Sequence, residues 1–132
     1  MTQNILIFKF IAIGFFLLSG VLDASGQTGK FETRCGWYDN PTPGNYWLSD
    51  KDTEWIIGIQ GGYQLEDFSA PVFQANQWVE TPSGSYGYGC ACFQMTVDKE
   101  TSRVLEIKKS YVKPLSVCRK DKALRKWKSA LE

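Results

Sequence analysis

Apolar positions alternate with a period of two through the second half of the chain. Phe93, Met95 and Val97 fall on one side of a run that begins at Tyr86, while Cys90, Cys92, Gln94 and Thr96 fall on the other, the pattern of a strand with two different faces. Asp98 to Ser102 supplies turn residues, and Leu105 and Ile107 resume the period within Arg103 to Val112, so a hairpin is predicted there. An earlier hairpin is predicted from Tyr46 to Ser49 and Glu54 to Ile59, around the polar Asp50-Lys51-Asp52-Thr53. Gly87, Gly89 and Ala91 lack bulk on the Phe93 side, which leaves space for another backbone or for a ring such as Trp55, Trp78 or Tyr63. After Pro114 the period lengthens. Leu124, Trp127 and Leu131 fall at helical spacing within Arg119 to Glu132, with Asp121 as N-cap. The fold class predicted is mainly β, a small α+β domain with an antiparallel meander sheet and a short C-terminal helix.

The N-terminus follows a different rule. Lys9 precedes an apolar run, Phe10 to Leu18, and Ser19 to Gly26 is short and rich in small residues, the layout of a secretory signal peptide. A spanning helix needs about 20 apolar residues, and Lys9 and Ser19-Gly20 interrupt this run too early. Residues 1–26 are therefore expected to be a signal peptide cleaved near Gly26, and 27–132 a single periplasmic or secreted domain. Cys35, Cys90, Cys92 and Cys118 all lie downstream, and an even count in a small exported chain predicts two disulfides. Cys90 and Cys92 stand two apart on one strand and are badly placed to join each other. The pairings left are 35–90 with 92–118, or 35–92 with 90–118, and either one staples the central Cys-Ala-Cys to both ends of the domain.

Composition narrows the chemistry. With 14% aromatic residues, 22% charged and no histidine among 132, the chain is not of a disordered class, and Ser-His or Cys-His nucleophile pairs and His-ligated zinc are excluded. The cysteines lack paired Cys-x-x-Cys knuckles, so neither metal nor cofactor is expected. No spacing selects two carboxylates as an acid and its partner, which argues against an enzyme. Asp50, Asp52 and Glu54 fit a hairpin turn better than a calcium loop. The net charge of +1 conceals an asymmetry: residues 108–132 carry nine Lys/Arg against two Asp/Glu, and residues 27–107 five against eleven. The basic helix, with Lys122, Arg125, Lys126 and Lys128, is expected to dock its apolar stripe on the sheet, or else to meet an anionic envelope surface. Export makes nucleic acid an unsuitable partner.

The segment Arg34-Cys35-Gly36-Trp37-Tyr38-Asp39-Asn40-Pro41-Thr42-Pro43-Gly44-Asn45-Tyr46-Trp47 is rich in turn residues yet carries four large aromatics. Rings on a stapled loop suit ligand stacking, so Trp37, Tyr38, Tyr46 and Trp47 are the candidate ligand-binding residues; the competing use is to thicken a thin core. Together with Gln60-Gly61-Gly62-Tyr63, Gly87-Tyr88-Gly89-Cys90-Ala91-Cys92 and Pro114-Leu115-Ser116-Val117-Cys118, this run resembles a family of small exported bacterial proteins known only as a domain of unknown function. The resemblance spans about residues 33–122 and implies no activity. The expected function is a monomeric, non-enzymatic binding module for a protein or glycan partner. Alternatives are an inhibitor or immunity-type protein that blocks a partner, and envelope association through the basic helix. Protein recovered from its native compartment is expected to begin at Gln27 and to contain no free thiol; intact mass showing Met1 retained, or four free sulfhydryls, would contradict this.

Overall fold

The computed structural model describes residues 29–82 and 84–128. The signal-peptide expectation for 1–26 and the end of the predicted helix, 129–132, lie outside the described residues. Six strands form one sheet: β1 (Glu32–Asn40), β2 (Tyr46–Ser49), β3 (Glu54–Gly58), β4 (Trp78–Glu80), β5 (Gly87–Asp98) and β6 (Arg103–Lys113). The first three meander. β5 then returns antiparallel along the whole of β1, from Glu32 opposite Met95 to Asn40 opposite Gly87. Three consecutive strands with a later one laid beside the first make a Greek key. β6 pairs antiparallel with β5 and reaches β3, where Ile56 meets Arg103 in a parallel bridge and the Ile56 N–H donates to the Ser102 carbonyl at 2.7 Å. The ring β1-β2-β3-β6-β5 thus closes on itself as a small, partly open barrel. β4 extends β5 beyond the end of β6.

The domain is mainly β, as its periodicity implies, and both predicted hairpins form. The sheet is mixed rather than a plain antiparallel meander. The β1–β5 pairing joins residues distant in sequence, Cys35 and Cys92 being 57 positions apart, and such a contact leaves no local periodic mark. The C-terminal helix also differs from the predicted single element: α1 (Leu115–Lys120) ends at Asp121, and a 3₁₀ helix, Lys122–Trp127, follows. Asp121 caps this second segment by accepting from the Ala123 N–H.

Tyr38, Leu48, Trp55, Ile57, Phe93, Met95 and Val104 fill the barrel. Two glycines make its tight curvature feasible. A Cβ on Gly36 would stand 2.0 Å from the Ser49 carbonyl oxygen, and one on Gly89 would stand 2.4 Å from the Phe73 ring. The bulk-free positions on β5 therefore admit both a backbone, Val79 over Gly87, and a ring, supplied by Phe73 rather than by Trp55, Trp78 or Tyr63. Phe68, Phe73 and Trp78 close that end of the barrel around Tyr38.

The opposite end is closed by charge. Arg34 reaches Asp50 at 2.8 Å, Asp52 at 2.9 Å and Glu32 at 2.6 Å, and lies 4.4 Å over the Trp55 ring. Burial opposes the guanidinium charge, but hydrogen bonds to Asp50 and Asp52 and the charges of Asp50 and Glu32 outweigh it, so its pKa is raised. Asp50 is the hub. Its carboxylate also accepts from the Trp55 indole and from the Asp52 and Thr53 amides, while its carbonyl accepts from the Trp127 indole. Asp50→Ala leaves a buried guanidinium without its main counter-charge and is expected to cost about 3–5 kcal/mol in urea denaturation. Asp52→Ala, at an exposed carboxylate screened by solvent, is expected to move the urea midpoint far less. Equal effects of the two substitutions would contradict this assignment.

Candidate functional site

The disulfides are Cys35–Cys92 and Cys90–Cys118, one of the two pairings the sequence leaves open. Strand alternation puts Cys90 and Cys92 on the outside of β5, opposite the core side of Phe93. Cys90–Cys118 consequently draws α1 and the 3₁₀ helix across the outer face of β5 and β1. Under them lies a second cluster of Trp37, Cys90, Cys118 and Leu124, edged by Tyr88, Leu115 and Trp127. The C-terminal segment is fastened again at its far end, where the Trp127 indole donates to the Asp50 carbonyl and the Lys126 ammonium to the Lys51 carbonyl, both at 2.8 Å.

Between this segment and the barrel is a cavity of about 410 Å³. Trp37, Tyr88, Cys118 and Leu124 form its apolar walls; Arg119, Asp121, Arg125 and Lys128 surround them. Trp37 and Tyr88 meet edge to face, with centroids 5.4 Å apart and ring planes at 87°. Trp37 is only 6% exposed, while Tyr88 is half-buried at the cavity wall. A wider groove, about 640 Å³, runs between the Tyr63–Ser69 loop and β6. Glu66, Asp67 and Glu106 face Lys108 and Lys109 there, so it presents both signs of charge, whereas the smaller cavity joins an aromatic wall to a predominantly cationic rim.

The four aromatics expected to bind ligand do not make one exposed patch. They lie on strands β1 and β2, not on a loop, and alternate between faces. Tyr38 is 2% exposed and sits in the barrel, where burial pushes its hydroxyl pKa well above the usual phenol range. Tyr46 packs against Phe68 and the core. Trp37 lies beneath the C-terminal segment, and Trp47 alone stays half-buried outside both core clusters. Turn residues between the strands tie themselves together instead: the Asn40 side chain donates to the Thr42 and Asn45 carbonyls, and Asn45 accepts from the Gln60 amide. Of the basic residues expected to meet a partner, Arg125 and Lys128 border the cavity, Lys126 is engaged with Lys51, and Lys122 is exposed.

The match to known families now bears on these residues. The pattern of a family described as protein of unknown function (DUF4087) covers residues 29–125. The chain belongs to the DUF4087 family. No curated protein and no solved structure matches it. The DUF4087 span extends past the resemblance read from motifs and adds Leu124 and Arg125, so all of the cavity wall but Lys128 lies within the DUF4087 region.

Tyr88 and Arg119 are residues that motif reading passed over. Tyr88 stands two before Cys90 and therefore shares its outer face, and Arg119 adjoins the staple partner Cys118; the disulfide spacing carried that signal. Asp39 was passed over as well. It lies on the outside of β1, between Tyr88 of β5 and Trp47 of β2. Burial, and next the charge of Glu54, pushes its carboxyl up to about 6. Among the described residues, no three His, Cys, Asp or Glu side chains gather as a metal site, and Asp50 serves the hairpin turn.

A carboxyl whose folded pKa is raised favours the native state while protonated, and this contribution disappears as pH rises through the folded value. Asp39→Asn is therefore expected to leave stability unchanged near about pH 4 and to raise it by roughly 1–2 kcal/mol above about pH 7, discounted for partial exposure. Denaturation at the two pH values checks this, and a larger gain at the acid end would contradict it.

Proposed function

We propose that this DUF4087 domain is a non-enzymatic binding module of an oxidising compartment, and that it holds a ring-bearing anion in the Tyr88–Leu124 cavity. One observation carries the reading: an aromatic wall and the basic C-terminal segment meet in a single concavity. An apolar ring covers Tyr88 and Leu124, while its acidic group lies against the guanidiniums of Arg119 and Arg125, which bind carboxylate or phosphate in a fixed fork. The walls are set in place before binding. Cys118 is bonded to Cys90, and Trp127 and Lys126 are tied to the β2–β3 turn, so little ordering cost falls on the complex.

Docking covers Leu124 and Trp127, the stripe residues of the basic segment that the structure describes. Leu124 is 3% exposed and Trp127 is half-buried against the barrel, so neither is free to enter an envelope surface. Export is supported by the two disulfides, and no helix of the described residues is long and apolar enough to cross a membrane.

Benzoate, phenyl phosphate and glucuronate, compared with benzyl alcohol and glucose by protein-observed NMR, test the assignment. The anions are expected to shift Tyr88 and Leu124 resonances, to bind more weakly as salt rises, and to lose at least about tenfold in affinity in an Arg119→Glu/Arg125→Glu variant that keeps its circular dichroism. Equal shifts from the neutral compounds, or an unaffected variant, would overturn it.

A further inference from the structure

Next to the cavity, three side chains line up across three strands. Tyr88 is the register partner of Asp39, and Asp39 is the partner of Trp47. All three point outward, because their chain neighbours Gly89, Tyr38 and Leu48 face the barrel, and all three are half-buried. Neighbouring strands lie about 5 Å apart, so the two rings stand roughly 10 Å apart with a carboxyl between them.

The row contains polar groups that the fold leaves unused. The indole N–H groups of Trp55, Trp78 and Trp127 donate within the protein, whereas those of Trp37, under the C-terminal segment, and of Trp47, in the row, have no acceptor among the described residues. The Asp39 carboxyl, half-buried, likewise has neither a hydrogen-bond donor nor an ion-pair partner among them. The neighbouring Ser49 hydroxyl, by contrast, donates to Glu54.

We propose that the outer face of β5, β1 and β2 binds an acidic oligosaccharide, with one sugar ring across the Tyr88–Asp39–Trp47 row and a neighbouring uronate carboxylate at Arg119 and Arg125. This rests on the cavity reading above and names its ligand class. A sugar ring supplies what the row requires: apolar C–H faces for the two aromatic rings, hydroxyls that donate to Asp39, and an oxygen that accepts from the Trp47 indole. Other polymers fit less well. An extended peptide joins a sheet through an open strand edge, but β1 is paired on both edges, with β2 and β5, and β2 with β1 and β3. A nucleic acid brings a phosphate to every residue, and at this row those phosphates would meet Asp39 and Glu54. A uronate chain carries its charge at one position on each ring, so a hydroxyl edge can face Asp39 while a carboxylate faces the arginines.

Calorimetric titration of the oxidised protein with tetrasaccharides of polygalacturonate, alginate and hyaluronan, against neutral cellotetraose, is the test. At least one uronate tetrasaccharide is expected to bind about tenfold or more tighter than cellotetraose. Trp47→Ala and Asp39→Asn are each expected to weaken it about tenfold without changing the circular dichroism, since both side chains stand outside the core. If no uronate exceeds cellotetraose, or if uronate binding is indifferent to Trp47 and Asp39, the proposal is overturned; persistent shifts from benzoate or phenyl phosphate would then leave the cavity reading standing. Loss of those shifts as well would remove both. Tight cellotetraose binding that survives Arg119→Glu/Arg125→Glu would overturn the acidic ligand class.

Discussion

A buried ion pair at one end of the barrel, Arg34 with Asp50, is the constraint from which much of the architecture follows. A guanidinium enclosed this far is tolerable only when its charge is matched, and here both terminal nitrogens are paired with carboxylates while Nε is buried without an acceptor among the described residues. Matching that charge fixes the β2–β3 turn, because the same Asp50 carboxylate accepts from the turn amides and from the Trp55 indole. It also fixes where the C-terminal segment ends, since the Asp50 carbonyl receives Trp127. Core, turn and outer cover therefore meet at one residue.

The remaining cover depends on the staples. A domain of this size buries a modest core, and bridges spanning 57 and 28 residues each contribute about 3.5–4 kcal/mol in the chain-entropy model before native strain. Their placement matters as much as their strength. Cys35–Cys92 reinforces a pairing already made by β1 and β5, whereas Cys90–Cys118 bonds a basic segment covalently to an aromatic face it otherwise holds through Leu115, Leu124, Trp127 and the Lys126–Lys51 hydrogen bond. The candidate site is a product of that second bridge, because neither the aromatic wall nor the cationic rim encloses a cavity alone.

What the sequence revealed divides along a physical line. Period-two alternation marked β5 and β6, the polar Asp50–Thr53 run marked the β2–β3 turn, and cysteine count with strand geometry limited the bridges to two pairings. Barrel closure went unread, since β1–β5 and β3–β6 contacts join distant segments whose local pattern is that of any strand. The aromatic segment was misleading for a related reason. Its density suggested a loop, yet Trp37 and Tyr38 are consecutive strand residues buried on opposite faces, one by the barrel and one by the C-terminal cover. The C-terminal periodicity showed which residues dock, Leu124 and Trp127, but not the break at Asp121, where the side chain ends one segment by capping the next.

The Cys-Ala-Cys arrangement carries a hazard that the charged end of the barrel counters. Sliding β1 by two residues along β5 would keep every side chain on its proper face, yet it would set Cys35 against Cys90 and invite the wrong cross-link. The same slide would put Glu32 opposite Phe93, at the place Arg34 holds beside Asp50, and Arg34 opposite Ala91, at the place of Gly36, where even a Cβ meets the Ser49 carbonyl. Charge and sterics thus set the cross-link: the register that pairs Arg34 with Asp50 and leaves Gly36 beneath Ser49 is the one that sets Cys35 against Cys92.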